Sequence, residues 1–510
     1  MPTPRTLFAL LREQPPDATA VIADGRATTY GELTVASARL AGGMCALGVR
    51  RRSRVGILME NRREWLETAF AAAALGATAV PFSTWSKPAE LSYLIADAEL
   101  DLLVAVGAFG GQDFAAALAS FDQKLPPIVI LDAEPLRGWI AYADLFGEPV
   151  TDIAAQPEDD AFILYTSGSS ARPKAVRLIQ GRTVENGFHI GERMGLGPAD
   201  RVLLAPPLFW SYGAANALPA TLSHGAALVL QPRFEPGGWL DLIERHRCAA
   251  IYTLPSMTGA ALRHPDFRRA RTASLRTGLM IGSPEEVRIA AEELGAARIC
   301  NIYGSTETYG NCCVTPAEWP LPRRMTSQGP PLPGARLRIT DPETGAELPA
   351  GAIGAVEVAG SATPGYAGAS AANNKTAFTA DGYFRTGDLG SLDAAGDFHF
   401  AARDNDMIKR AGINVSPAEL ETLLLQYPGI AQAAVVGAAA GERGEAIVAF
   451  VVAAEGASLD PETLRAHCRA LVSSYKVPDR IVLCPALPTT ETGKLFRRGL
   501  KEQAAALTRE

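Results

Sequence analysis

Histidine and cysteine are scarce in this chain, with six and seven copies among 510 residues. The cysteines are odd in number and form no C-x-x-C pair, and Cys312 and Cys313 are adjacent, a poor geometry for a structural bridge. A reduced, cytoplasmic protein is the simplest expectation. Neither a G-x-S-x-G elbow nor an H-E-x-x-H helix occurs, so nucleophile-elbow hydrolases and zinc proteases have no support. Excess positive charge is missing too: the formal net charge is −7. A general nucleic-acid binder needs a basic surface to neutralise phosphates, so none is expected; a local basic site for a nucleotide remains open. The most apolar stretch, residues 69–81, is Ala-rich and shorter than a membrane span. The opening MPTPRTLFALLREQPPDA holds too short an apolar run for a signal peptide. Neither a sequence repeat nor a low-complexity tract is present.

Hydrophobic residues make up 47% and charged residues 20% of the chain, a globular balance with material for a sizeable core. At about 150 residues per domain, the length suggests three or four structural units. Residues 55–59, 77–81, 102–106, 128–131 and 226–230 read as short strands that are apolar throughout, and 64–74 as a helix. Strands without polar alternation, separated by helices, imply parallel sheets covered on both faces. The breaker cluster GPPLPG at 329–334 ends that pattern. Beyond it, residues 336–339 and 355–358 alternate in polarity, as in a smaller, more antiparallel β unit. From about Asp406 a compact α+β unit is expected, with helices from Pro417 and Pro461 and strands at 433–436 and 446–452.

An apolar strand at 161–166 runs directly into Ser167-Gly168-Ser169-Ser170-Ala171-Arg172-Pro173-Lys174. Small hydroxyl residues and glycine let N–H and O–H groups approach phosphate oxygens closely, and Lys174 adds a point charge at the far end. This is no Walker A loop, since G-K-[ST] is missing. A flexible Ser/Gly surface turn is the competing reading.

Residues 165–176, YTSGSSARPKAV, resemble the signature loop of the adenylate-forming superfamily: acyl- and aryl-CoA synthetases, luciferases and stand-alone adenylation domains. NIYGSTET at 301–308, YFRTGDL at 383–389, RDNDMIKRAGINVSPAELE at 403–421 and TETGKLFR at 490–497 match that family in the same order. TYGEL at 29–33 extends the likeness over nearly the whole chain.

The resemblance implies an α/β fold. A large N-terminal domain of parallel sheets with flanking helices and a smaller β unit would span residues 1–403. A hinge would fall at 404–405, and a small mobile α+β C-terminal domain at 406–510. The implied activity is ATP-dependent activation of a small acid as an acyl-AMP, with pyrophosphate release and transfer to a thiol. The implied cofactors are ATP, Mg²⁺ and CoA. The chain would act as a monomer or homodimer, without nucleic acid or membrane.

The same resemblance implies roles for particular residues. Thr166, Ser167, Gly168, Ser169, Ser170 and Lys174 would cradle the phosphates of ATP. Tyr303, followed by Gly304, would pack against adenine, and Thr306 would touch the α-phosphate. Glu307 would help hold Mg²⁺, a hard cation that keeps several waters and needs only one such carboxylate; in isolation it reads as a solvated loop acid. Gly282-Ser283-Pro284 would form the opposite wall of the adenine slot, or a plain turn. Asp388 has acceptor-only chemistry suited to paired ribose hydroxyls, and Arg403, fifteen residues on, would reach the same nucleotide. The alternative for Asp388 is an Asx turn after Gly387.

Lys494 corresponds to the family's catalytic lysine. As an acid oxygen attacks the α-phosphorus, negative charge crowds there, and an ammonium touching nucleophile and phosphate stabilises the transition state. Otherwise Lys494, Arg497, Arg498 and Lys501 form one solvated basic face. Gly412 matches the loop lining the pantetheine tunnel, or is a simple turn. Asn405 would be the hinge about which the small domain turns to exchange Lys494 for Gly412.

In the segment LFWSYGAAN at 208–216, many acyl-CoA synthetases carry His where Trp210 stands. The segment resembles that of benzoate-type CoA ligases. Trp210 and Tyr212 would wall a flat aromatic acid and Gly213 would leave space for it; Phe209 and Trp210 as ordinary core is the alternative. Without an aspartate here, an α-amino acid substrate is disfavoured. The chain departs from the family at Ala171, Ala175 and Ala402, where Gly is usual, at Gln180, near a frequent His, and at Asn405, where Lys or Asp is usual. These departures leave two alternatives within the superfamily: loading of a carrier-protein thiol, and activation of an anion such as nitrite for diazotisation of an aryl amine. A catalytically silent nucleotide-binding protein is a third, opposed by the retained Lys174, Glu307, Asp388, Arg403 and Lys494.

Overall fold

A computed structural model describes residues 5–166, 173–403, 406–410, 413–415, 417–439, 445–472, 476–489 and 495–508. The chain forms two compact units: residues 1–337 with 358–384, and residues 338–357 with 385–510. These units follow packing. The expected division at 404–405 concerns which part turns, not which residues pack together.

The first unit is built on two eight-stranded sheets. One has the order Tyr366–Ala367, Lys174–Ile179, Asp160–Thr166, Thr78–Pro81, Arg54–Leu58, Leu102–Val106, Ile128–Leu131 and Ile140–Ala141. It is parallel from Asp160–Thr166 onward and antiparallel across its first three strands. The other runs Cys313–Val314, Arg298–Tyr303, Thr277–Met280, Ala250–Tyr252, Arg201–Leu204, Ala227–Leu230, Thr19–Ala23 and Arg26–Thr29. It is parallel throughout except at its two edges. Every residue of Thr78–Pro81, Leu102–Val106 and Ile128–Leu131 is buried, which explains why these strands lack polar alternation.

The Ala-rich stretch too short to span a membrane is core. In the helix Arg63–Leu75 all residues from Trp65 to Leu75 are buried, and Gly76 closes it in the left-handed conformation at φ 68°. The one acid in that run, Glu67, is paired with Arg63 and accepts from the Tyr142 hydroxyl at 2.8 Å. Among the described residues, no helix is long and apolar enough to cross a membrane.

Most of the smaller β unit falls in the second compact unit, as a four-stranded sheet ordered Arg336–Thr340, Gly354–Ala359, Phe384–Leu392, Phe398–Arg403. The C-terminal part is α+β, as expected. Ile430–Ala439 pairs antiparallel with Glu445–Ala453, which pairs parallel with Arg480–Leu483. Alternate residues of the two long strands face opposite sides. Val435, Ile447, Ala449 and Val451 pack with Leu420, Leu424 and Leu464, while Val436, Val448 and Phe450 pack with Leu500 and Ala504. Both faces of this sheet are therefore covered by helices.

Candidate active site

In the second eight-stranded sheet, Arg201–Leu204 lies between Ala227–Leu230 and Ala250–Tyr252. The chain thus builds outward from this strand in both directions, which opens a crevice beyond the C-terminal ends of the strands. The loops leaving those ends carry residues 205–211, Thr253, Gly282 and residues 304–307. This is why positions far apart in sequence meet. Ser211 Oγ lies 3.0 Å from Thr306 Oγ1. The Tyr212 hydroxyl donates to the Leu279 carbonyl at 2.7 Å and lies 3.3 Å from that of Thr253, tying three strand ends together. Burial of that hydroxyl pushes its pKa well up, so it stays neutral although the ring is only partly covered.

Trp210 is partly exposed and meets Trp85 edge-on, with ring centroids 5.3 Å apart. Phe209 is buried and meets the same Trp85 at 5.4 Å. Phe209 is thus core, whereas Trp85 and Trp210 present an aromatic wall. Gly213 has a different reason from the one expected. A Cβ there would lie 2.5 Å from the Pro207 carbonyl oxygen and 2.7 Å from Leu208 Cα, so this glycine admits its own chain rather than a ligand.

Tyr303 is buried at the end of its strand, and a Cβ at Gly304 would strike Asn311 Cα at 2.5 Å. Thr306–Thr308 forms a 3₁₀ turn, closed by Ser305 N–H donating to Thr308 Oγ1 at 2.8 Å. Glu307 on that turn is not a solvated acid. Its Oε1 accepts from the Tyr366 hydroxyl at 3.0 Å, and its carbonyl accepts from Thr363 N–H at 2.6 Å. Burial and the Glu307 charge push the Tyr366 pKa up, which keeps the hydroxyl a donor. Lys174 Nζ stands 5.3 Å from the centroid of the Tyr366 ring, a cation–π distance. One aromatic residue therefore touches both the carboxylate and the lysine.

Thr166 and Lys174 are directly paired across the antiparallel strands Asp160–Thr166 and Lys174–Ile179. The Ser/Gly segment joins these two strands in sequence, and residues 167–172, which hold Ser167, Gly168, Ser169, Ser170 and Ala171, lie outside the described residues. Gln180 is buried, and its Oε1 accepts from Leu7 N–H at 3.0 Å, so it serves the core. Ser283 caps the helix Pro284–Ile289: its N–H donates to Glu286 Oε2 at 2.7 Å, with Pro284 in the first turn. Gly282 leads into that cap.

In the second unit, Asp388 and Arg403 are cross-strand partners of Phe384–Leu392 and Phe398–Arg403, with Arg403 Nε 3.7 Å from Asp388 Oδ1. Asp388 is therefore a strand residue rather than an Asx turn. Asn405, Gly412 and Lys494 lie outside the described residues. The base of the Lys494 segment is described: Thr489 and Leu495 form an antiparallel bridge, and Phe496 N–H donates to the Pro488 carbonyl at 2.8 Å. Arg497 donates to both oxygens of Glu421 at 2.8 and 2.9 Å, Lys501 pairs with Asp406 at 2.9 Å, and Arg498 with Glu502 at 3.1 Å. These three cations are individually paired with carboxylates, and Arg498 remains largely exposed.

Sequence reasoning missed Trp85, Ser211 and Tyr366. Ser211 lay inside the quoted pocket segment, whereas Trp85 and Tyr366 reach the site only through sheet order, which no local spacing encodes.

Comparison with known proteins agrees with this architecture. A family model described as AMP-binding enzyme matches residues 9–367, and one described as AMP-binding enzyme C-terminal domain matches residues 419–494. A feruloyl-CoA synthase from an Amycolatopsis species is 34% identical over 485 residues, covering 94% of this chain and 95% of that protein. The crystal structure of ATP-bound MatB from Rhodopseudomonas palustris superposes with a TM-score of 0.86 at 28% identity, covering 99% of both chains. That of the anthranilate CoA ligase AuaEII in complex with anthranoyl-AMP gives 0.87 at 26% identity, covering 100% of this chain and 99% of that one.

Proposed function

We infer the reaction from one premise: the chain belongs to the AMP-binding enzyme family, and is an ATP-dependent, AMP-forming acid–thiol ligase. We propose that its acid is a small aryl acid and its thiol that of CoA. The observation that carries the aryl reading is the aromatic wall of Trp85 and Trp210 beside Ser211, whose hydroxyl contacts Thr306. Names of relatives lend support: one is a feruloyl-CoA synthase and another an anthranilate CoA ligase.

Two displacements make up the reaction. A carboxylate oxygen bonds to the α-phosphorus of ATP, and the bond to pyrophosphate breaks. A thiol sulfur then bonds to the acyl carbon, and AMP leaves. In the first step, Trp85 and Trp210 hold the ring, while Thr306 donates to an α-phosphate oxygen. The segment from Thr166 to Lys174 cradles the phosphates, with Lys174 beside the Tyr366 ring. Lys494 aligns the attacking oxygen and offsets the charge building at phosphorus. Asp388 and Arg403 bind the ribose. In the second step, Lys494 withdraws by rotation of residues 406–510 about Asn405, and Gly412 lines the thiol's path.

The residues present fit Mg²⁺. Among the described residues no group of three or more His, Cys, Asp or Glu is placed to cage a metal, and a single carboxylate with phosphate and water oxygens is ordinary Mg²⁺ chemistry. Glu307, oriented by Tyr366, would hold the ion. When bound, Mg²⁺ offsets the charge of the phosphates. We place the enzyme in the cytoplasm, a setting that agrees with the lack of any disulfide among the described cysteines.

The test is pyrophosphate release over aryl acids, aliphatic acids and nitrite, each with and without CoA. Aryl acids should give the highest rates, with thioester formed only when CoA is present. Preference for a long fatty acid or nitrite would overturn the aryl reading. Pyrophosphate release without any CoA thioester would point to a carrier-protein thiol or an amine acceptor.

A further inference from the structure

Asn61 lies three residues past the strand Arg54–Leu58 of the first sheet and is 2% exposed. Its side chain reaches the chain of the other sheet. Nδ2 donates to the Pro206 carbonyl at 3.0 Å and to the Gln231 carbonyl at 3.2 Å, and Oδ1 accepts from Leu208 N–H at 2.6 Å. Both amide protons and the carbonyl oxygen are thereby used. The reverse orientation would set the amide oxygen against two carbonyls and its nitrogen against an N–H, so the partners fix which way it points. Pro206 and Leu208 follow the strand Arg201–Leu204, and Gln231 follows Ala227–Leu230. One side chain of the first sheet therefore ties two neighbouring strand ends of the second.

The tie falls where the acid-pocket segment begins. Pro206 and Pro207 carry no N–H, so this stretch has no backbone donors of its own at those positions, and Asn61 supplies one from outside. The constraint passes down the chain. The Pro207 carbonyl accepts from Trp210 N–H at 3.1 Å, and the Trp210 carbonyl accepts from Gly213 N–H at 3.0 Å and Ala214 N–H at 2.9 Å. Asn61 thus holds the base from which Trp210 and Ser211 project. The facing half of the aromatic wall belongs to the first sheet: Trp85 lies four residues past Thr78–Pro81, the strand paired with Arg54–Leu58. The edge-on contact of Trp85 with Trp210 therefore spans the two sheets, and the Asn61 amide bonds those sheets together beside it.

We propose that Asn61 is a positioning residue for acid selection, which sets the separation of Trp85 and Trp210 by holding the Trp210 loop to the sheet that carries Trp85. This deepens the reading of the preceding subsection and rests on its placing of the acid beside those two rings. Removal of the amide takes one partner from each of two carbonyls and from one N–H, and the two halves of the wall lose their common register.

The experiment compares the wild-type enzyme with Asn61→Ala and Asn61→Ser, and with Tyr142→Phe, which takes a buried hydroxyl from Glu67 in the same unit. Pyrophosphate release is followed with the acid that turns over best, whatever its class. In the Asn61 variants the KM for that acid should rise by about tenfold, from the loss of these hydrogen bonds. The KM for ATP should change by no more than about twofold. Discrimination between that acid and an analogue enlarged by one methyl group should fall. Tyr142→Phe should lower the melting temperature and move none of these. An unchanged acid KM with unchanged discrimination in a folded Asn61 variant would overturn the inference. Equal rises in both KM values, or a loss confined to kcat, would do the same. Hydrogen exchange tests the tie without any variant: the Leu208 amide should exchange slowly in the wild-type enzyme, in a peptide to which Pro206 and Pro207 contribute no amide. Fast exchange there overturns the inference even where no variant folds. An aliphatic best acid overturns the aryl reading alone, because the acid KM still reports on the loop.

Discussion

The first unit holds its functional groups by hydrogen bonds gathered near the ends of its strands, whereas the second carries them on a sheet and next in sequence to the Thr489–Leu495 bridge. At the strand ends of the first unit, Tyr212 bonds two neighbouring carbonyls, Ser211 contacts Thr306, and Tyr366 restrains Glu307. In the second unit, Asp388 is largely buried and Arg403, its cross-strand partner, is 73% exposed. The cations following Lys494 are paired with Glu421, Asp406 and Glu502. The lesson of the contrast is a division of labour. In the proposed reaction, the first unit recognises the acid and phosphates, and the second adds charge that a sequential reaction brings in and takes away.

The largest effect should come from the second unit. Lys494→Ala should lower ATP–pyrophosphate exchange on the order of 100-fold or more while sparing thioester formation from a supplied acyl-adenylate. Normal exchange in this variant would break the comparison, because the withdrawn charge would then be dispensable.

Next is the turning itself. Asn405→Pro fixes φ and removes a backbone donor. Measured separately, one half-reaction should persist while most of the other is lost. Equal losses in a folded variant, or none, would dismiss Asn405 as hinge.

Smaller again is Tyr366→Phe, which keeps the ring beside Lys174 and deletes only the hydroxyl on Glu307. A hydrogen bond to a charged group contributes about 1.5 kcal/mol, so adenylation should fall roughly tenfold. The Mg²⁺ concentration for half-maximal rate should rise, while the melting temperature changes little. An unaltered Mg²⁺ dependence would mean that Tyr366 does not position Glu307.

The smallest effect is expected at Arg498, whose side chain is 84% exposed and paired with Glu502 one helical turn away. Arg498→Ala should leave both half-reactions and the melting temperature essentially unchanged. A large loss would show that the basic residues after Lys494 act as a group.

Much of the fold was legible because burial on both faces leaves a run of apolar residues with no polar alternation. Leu102–Val106 and Ile128–Leu131 were placed at their exact ends, and Glu64 to Ala74 lies within the helix Arg63–Leu75. The order of strands was not legible, since apolar runs of similar length do not say which pairs with which. That is why Tyr366 on Glu307 and Trp85 against Trp210 were missed: 59 residues separate the first pair and 125 the second. Gly213 was noticed for the wrong reason. Its missing side chain suggested room for a ligand, whereas the backbone at Pro207 and Leu208 occupies that space. Asp388 was read as a ribose-binding acid, with an Asx turn after Gly387 as the alternative, and it lies on a strand paired across to Arg403.

The most direct measurement mixes the enzyme with ATP, Mg²⁺ and the best aryl acid, without any thiol, and follows the bound and released products by mass spectrometry. The account predicts one equivalent of aryl-AMP held on the enzyme with one of pyrophosphate released. Addition of CoA should then convert it to the aryl thioester and AMP. ADP and phosphate in place of AMP and pyrophosphate, or thioester formed with no adenylate preceding it, would contradict the account.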